Sequence, residues 1–322
     1  MVSFTDSIDF AERVTGVSAD RWSVPNTTLV SGIRLLSESI YGGAAFYEST
    51  FEIGPLWNYL FLVEAASHSH FDLLVELGRR ESVLPPGILC LAGSGRQFHG
   101  FKGRPWSAPP GNIYLAVYLT PQRPIDHAGT AFTVLAAVSV LDAIDDVPTL
   151  HERAGIKWVN DVLIDNAKVA GVLAYTQSER DAITGVVLGI GLNVETTPLL
   201  GFTPFVPRAG SLRDFVREPD CCDQHIVFHR LIGALDSNYS ALLGGDYAAL
   251  LDRYRQRSLV VDRNVTLCSE ASVGSEEVIA RGRVTGLSDD LALEIEGHDE
   301  PFSKGRLILD PGPRSQHELG RQ

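Results

Sequence analysis

Lys157, Asp161 and Lys168 fall within the twelve residues KWVNDVLIDNAK, in a chain that carries 27 lysines and arginines against 40 aspartates and glutamates. Two ammonium groups around a carboxylate can hold an anion and can also move a proton, since a lysine is a compact point charge and an aspartate accepts hydrogen. Three residues beyond Lys168, Gly171 leaves a stretch of strand without a side chain, where a ligand can lie against a sheet. Upstream, residues 93–112 hold Arg96, His99, Lys102 and Arg104 among Gly93, Gly95, Gly100, Gly103 and Gly111. Glycines let backbone approach a ligand closely, and arginines offer forked donors for phosphate or carboxylate. Taken singly, each feature has a plain alternative: a solvated basic loop, or a surface Lys–Asp pair worth about 0–1 kcal/mol.

Strand alternation would send Lys157, Val159 and Asp161 to one face, and a turn at Asp165-Asn166 would fold the strand bearing Lys168 back beside them. Around this hairpin, LWNYLFLVEAA reads as a buried strand and SHFDLLVELGRRE as an amphipathic helix stopped by Pro85-Pro86-Gly87. GILCLAG, IYLAVYL and TGVVLGIGLNV read as further strands, and HAGTAFTVLAAVSVLDAIDDV as a core helix with little polar surface. IVFHRLIGALDSNYSALLGGDYAALLDRYRQ gives helical segments broken at Gly244-Gly245. From Ser258 the texture changes to the short strands SLVVD, NVTLC, EEVIARGRVTGL, LALEIEG and RLILD, the pattern of a small SH3-like β-barrel. The expected organisation is an N-terminal extension of unassigned role over 1–55, an α+β domain with a mostly antiparallel sheet over 56–255, and a small C-terminal β domain with a tail over 256–322.

A net charge of −13 argues against nucleic acid as a partner of the whole surface and makes any cluster of cations more informative. The four cysteines have no framework spacing, which fits a reducing, cytoplasmic setting. The start MVSFTDSIDFAERV lacks a basic n-region and an apolar core, and the apolar runs fall short of the ~20 residues a membrane span needs, so neither targeting peptide nor membrane association is expected. CCDQHIVFH places His225 and His229 four apart behind Cys221 and Cys222, but adjacent cysteines share one ion poorly. This stretch reads as a helix start with Asp223 as its N-cap. No Gly-x-Ser-x-Gly elbow supports a Ser-His-Asp hydrolase.

GRPWSAPPGNIYLAVYL, KWVNDVLIDNAKVAGVLA and GIGLNV occur in this order, and together they resemble the catalytic domain of biotin protein ligases, in the biotin/lipoate ligase superfamily, over roughly residues 57–312. The resemblance implies a mixed sheet with helices followed by the small barrel. It also implies ATP-dependent adenylation of biotin or a similar carboxylic acid, then transfer to a lysine of a biotin carboxyl carrier-like protein. By the same resemblance Lys168 contacts the acid's carboxylate and the α-phosphate, and Asp161 accepts a proton from the attacking lysine. Gly171 lets the acyl group lie on the sheet and Trp106 flanks it, with Arg104, His99 and Ser67 at the remaining acyl-side positions. Asn160, Asn193, Lys102 and Lys157 fall on the ATP side, and Mg²⁺ comes with the nucleotide. A homodimer is left open.

The departures from the family pattern cluster around the acyl pocket and the loop. Gly-Arg-Gly-Arg-Arg-Gly becomes Phe98-His99-Gly100-Phe101-Lys102-Gly103, so Phe101 and His99 stand where the family has arginines. The family glutamine falls on Gly95, Ser-Thr-Asn survives only as Ser67-His68-Ser69, and Asp310 replaces a terminal arginine. ATP chemistry is thus better supported than biotin as the acid. A lipoate or octanoate ligase or transferase of the same fold, and a non-catalytic binding homologue, are the alternatives.

Overall fold

The computed structural model describes residues 1–26, 28–80, 84–206, 208–270 and 276–309. Nine strands form the main sheet: β1 (Val2–Thr5), β2 (Tyr47–Thr50), β3 (Tyr59–Val63), β4 (Ile88–Ala92), β5 (Ile113–Leu119), β6 (Ala154–Lys157), β7 (Asp161–Ile164), β8 (Ala167–Glu179) and β9 (Ala182–Leu192). They lie in the order β2-β1-β3-β4-β5-β9-β8-β7-β6. β1 with β3 and β3 with β4 are parallel, and every other neighbouring pair is antiparallel.

Every residue of β4 and β5 is buried, because helices cover both faces of the sheet. Alternation then divides each strand between two cores: Leu89, Leu91, Leu115 and Val117 enter one, while Ile88, Cys90, Tyr114 and Ala116 enter the other. The first core is closed by α1 (Ile8–Thr15), α4 (Ala128–Asp145), α5 (Gln224–Leu243) and α6 (Tyr247–Gln256), the second by α2 (Ser31–Tyr41) and α3 (His70–Gly78). α4 is apolar enough, and at 18 residues long enough, to cross a membrane by composition, contrary to the expectation that every apolar run falls short. Twelve of its residues are buried among the other helices and the sheet, which is the other use of such a helix. α5 starts on the expected cap, with Asp223 Oδ1 accepting from the Ile226 amide at 2.7 Å, and α5 and α6 are separated at Gly244-Gly245.

The expected boundary at residue 56 is not where the architecture divides. β1 sits inside the sheet between β2 and β3, so residues 1–55 contribute two strands and two helices to the same layers. Past Ser258, β10 (Asn264–Cys268), β11 (Val278–Leu287), β12 (Leu293–Ile295) and β13 (Arg306–Leu309) form a second, antiparallel sheet in the order β12-β11-β10-β13. The run SLVVD makes only isolated bridges, from Ser258 to Ile156 and from Val261 to Val284. Asp310 and the tail lie outside the described residues. The β11–β12 connection fastens the small sheet to the large one: Trp158 Nε1 in the β6–β7 turn donates to the Leu291 carbonyl at 2.7 Å, and the Tyr247 hydroxyl at the start of α6 to the Asp289 carbonyl at 2.6 Å.

Candidate functional site

The hairpin that carries the lysines departs from simple alternation in two places, and both matter. Trp158–Asn160 is a tight turn rather than strand, so Lys157 and Asp161 face each other as cross-strand partners instead of following one another along one face. Lys168 and Gly171 are three residues apart, an odd separation that would put them on opposite faces of a regular strand. Between Val162 and Leu163 the register shifts: Val162 pairs with Ala170 but Leu163 with Lys168, so Val169 is an extra, bulged residue. The bulge turns Lys168 onto the face of Gly171 and Asp161. Its Nζ lies 3.4 Å from where a Gly171 Cβ would be and 2.6 Å from Asp161 Oδ1. Both side chains of the pair are less than a fifth exposed.

These residues open into a cavity of about 560 Å³. Its floor is formed by two cross-strand glycines, Gly171 of β8 and Gly191 of β9. Trp106 lies directly on them, with its ring atoms 2.5 Å from a Cβ built on Gly191 and 3.1 Å from one on Gly171, so a side chain would displace the ring at Gly191 and crowd it at Gly171. Lys168 Nζ stands 5.1 Å from the centroid of that ring. At the rim, Asn160 Nδ2 donates to the Val172 carbonyl at 2.7 Å and steadies the turn, while Asn193 Nδ2 donates to Gly210 and its buried Oδ1 has no protein partner.

Lys157 is only 5% exposed, and its ammonium donates to the carbonyl of Phe205. Burial, aided by the charges of Lys168, Arg306 and Arg104, pulls its pKa down to about 8, against the opposing pull of Asp161. Between pH 8 and 10.5 the unfolded chain keeps a proton that the native chain has lost, so this site's contribution to stability rises with pH across that window. Relative to Lys157→Met, which does not titrate, the wild type should gain about 2.5 kcal/mol from pH 7 to pH 10, measured by urea unfolding at both. Parallel curves for the two proteins would show that the lysine is solvated.

The glycine-rich loop is tied down on both sides of the cavity. His99 Nε2 is 2.7 Å from Asp72 Oδ2 in α3 and its Nδ1 is 3.0 Å from the Gly100 carbonyl. With an acceptor at each nitrogen, first the carbonyl and then Asp72, its pKa is raised despite partial burial. Lys102 pairs with Glu270 of the C-terminal domain at 3.1 Å.

Ten of the eleven residues proposed from sequence line this one cavity; the exception is Ser67, which is exposed and bonded to His68 at 2.7 Å. Ser69 and His70, two and three residues on, line it instead. His70 starts α3, is buried, and is held neutral because burial lowers its pKa to about 4. Phe205, Glu270 and Arg306 also line the cavity and were missed, since only the tertiary fold brings their segments here. Six lysines and arginines and two carboxylates line it, an excess of cations within a chain of net charge −13.

Residues 72–193 match the Biotin/lipoate A/B protein ligase family. A biotin--[acetyl-CoA-carboxylase] ligase of Paracoccus denitrificans is 34% identical over 214 residues, 65% of this chain and 78% of that protein. The bifunctional ligase/repressor BirA of Bacillus subtilis is 34% identical over 115 residues, and the chain spans only about a third of its length. A biotin protein ligase from Aquifex aeolicus, solved with biotin and ATP, shares the fold over 79% of this chain and 99% of its own, with a TM-score of 0.59 at 19% identity. The motifs, the sheet that carries them and the extended match to the Paracoccus protein agree, and the chain belongs to the biotin protein ligase family.

Proposed function

We propose that the protein is an ATP-dependent ligase that adenylates biotin, or a closely similar carboxylic acid, and transfers the acyl group to a lysine of a carrier protein. What carries this reading is Lys168 held 2.6 Å from Asp161 above a glycine floor, in a cation-rich cavity of an acidic protein.

In the first step a carboxylate oxygen attacks the α-phosphorus, pyrophosphate leaves, and an acyl-adenylate forms. Two anions must be brought together, so the chain's task is to neutralise charge where it develops. Lys168 would bridge the carboxylate and the α-phosphate, with Lys157, Lys102 and Arg104 meeting the other phosphates and Asn160 and Asn193 the nucleoside. Mg²⁺ would ride on the phosphates and neutralise them further. The two carboxylates lining the cavity, Asp161 and Glu270, are each bound to a lysine, which leaves the phosphate oxygens as the ready ligands. The acyl chain would lie against the ring of Trp106, which covers Gly171 and Gly191, with His99 beside it. In the second step the carrier's lysine attacks the acyl carbon, its proton passes to Asp161, and the C–O bond to AMP breaks.

A thioester-forming transferase of the same fold would need a cysteine in this cavity, and Cys90, Cys221, Cys222 and Cys268 all lie elsewhere. All four being free fits the cytoplasm. The test is ATP–pyrophosphate exchange with Mg²⁺ and biotin, lipoate or octanoate in parallel. Exchange with biotin is expected; exchange with another acid alone would reassign the substrate, and exchange with none would overturn the reading.

A further inference from the structure

The glycine-rich loop is a ribbon folded on itself. Gly95 bridges to Ala108 and His99 to Pro105, and the Trp106 amide donates to the Phe98 carbonyl at 2.8 Å. At its base the Ala66 amide, just past β3, donates to the Ser94 carbonyl and the Arg96 amide to the Ala66 carbonyl. Farther out, the side chain of His99 joins the ribbon to Asp72 of α3. The returning arm carries Trp106 onto the glycine floor, so the seating of the ribbon shapes the cavity.

Both ring nitrogens of His99 meet acceptors. Nε2 is 2.7 Å from a carboxylate oxygen of Asp72, and Nδ1 is 3.0 Å from the Gly100 carbonyl. A neutral imidazole has one N–H to give, and neither a carboxylate nor a carbonyl returns one, so the two contacts coexist only on the imidazolium. Asp72 is the charged group that acts on the ring. In the ribbon, Lys102 is paired with Glu270 and Arg104 donates to the Phe101 carbonyl. In α3, Glu76 is paired with Arg80 and His70 is buried and neutral, and on the floor Lys168 is bound to Asp161. The family resemblance puts a permanently charged arginine where this chain has His99, and a histidine makes that charge conditional on pH.

We propose that Asp72 is a positioning residue: it holds His99 as an imidazolium, and this clasp couples the seating of the ribbon, and with it the binding of the acid, to one proton. The part that concerns the acid rests on the adenylating reading. His99 titrates above its ordinary value of 6.5 in the folded chain, so the clasp is fully formed below that value and is lost as pH rises through the folded one. Losing it frees the ribbon from α3 at a residue that pairs with Pro105, next to Trp106, and the ring that covers Gly171 and Gly191 loses its support.

The experiment follows the full chain as wild type, Asp72→Asn and Asp72→Ala from about pH 6 to about pH 9. The Asp72 side chain is half-exposed, so both substitutions leave the core intact. In pyrophosphate exchange the wild type's KM for the acid should rise about 10-fold across this range, the scale of one hydrogen bond to a charged group, with kcat little changed. The alanine variant, which has no clasp, should show the raised KM throughout. The asparagine variant should keep the low KM at both ends, because its amide accepts from a protonated ring nitrogen and, turned over, donates to a bare one. Lys157 titrates in the same range but is present in all three proteins, so differences between their profiles belong to the clasp. Without ligand, the ring resonances of His99 should report an imidazolium to higher pH in the wild type than in Asp72→Asn. Protection of the Gly100 and Trp106 amides from hydrogen exchange, corrected for its intrinsic pH dependence, should fall with that titration in the wild type. Identical KM profiles in wild type and Asp72→Ala, or a His99 ring that titrates at the same pH in wild type and Asp72→Asn, would overturn the proposal. The ring titration and the amide protection need neither acid nor ATP, so they test the clasp separately from the exchange assay that tests the ligase reading.

Discussion

Lys168→Met should lower acid-dependent pyrophosphate exchange by about 10²- to 10³-fold, the loss typical when a positioned charge-stabilising donor is removed from a reacting centre. Methionine can keep the contact of the side chain's stem with Trp106, so the fold should survive; what goes is the ammonium 5.1 Å from that ring and 2.6 Å from Asp161. The loss should fall on kcat rather than on KM for ATP, because the charge matters most while the carboxylate and the α-phosphorus are being joined. Lys168→Arg should not rescue. A planar fork spreads the charge that Lys168 concentrates at one atom, 2.6 Å from Asp161 and beside the ring of Trp106. Exchange by the methionine variant within about tenfold of wild type would mean that the adenylating centre is organised around another group.

Much of this geometry was legible because local pattern and tertiary role coincide. The runs that became β3, β4 and β5 are apolar on both faces, as strands between two layers of helices must be. The motif residues were found because three texts occur in order, and Gly171 because a ligand floor tolerates no side chain. The failures have equally physical causes. Alternation predicts faces only while a strand stays regular. It therefore misplaced Val159, which sits in a turn, and gave no reason for Lys168 and Gly171 to share a face until the bulge at Val169 appeared. β1 has four residues, and its parallel pairing with β3 depends on contacts between chain segments more than fifty residues apart, which no local pattern encodes. Ser67 was chosen because Ser67-His68-Ser69 stands for the family's Ser-Thr-Asn, in a loop where one or two residues of shift cost little energy, and the cavity takes Ser69 and His70 instead. Arg306 offered no local signal, since only the tertiary fold brings it against Phe205.

Asp161→Asn should separate the two half-reactions, and the separation is its value. Asparagine keeps an oxygen that can accept the hydrogen bond from Lys168, so adenylation should persist and pyrophosphate exchange should stay within about tenfold of wild type. It cannot take up a proton, however, and an amine that attacks the acyl carbon must lose one to form an amide. Transfer to a carrier domain should therefore fall about 10²- to 10⁴-fold, the usual contribution of a positioned general base. The two roles conflict in the unliganded site, where the carboxylate is bound to Lys168, and they are reconciled if Lys168 swings onto the adenylate and frees Asp161 for the incoming lysine. Single-turnover transfer from acyl-adenylate formed on the enzyme, followed by the mass of the carrier, measures the second step alone. If exchange and transfer fall together by the same factor, Asp161 acts only by orienting Lys168, and the proton must leave by another route. If transfer alone falls and recovers as pH rises, the missing function is proton acceptance, since solvent base then takes over what the carboxylate no longer does.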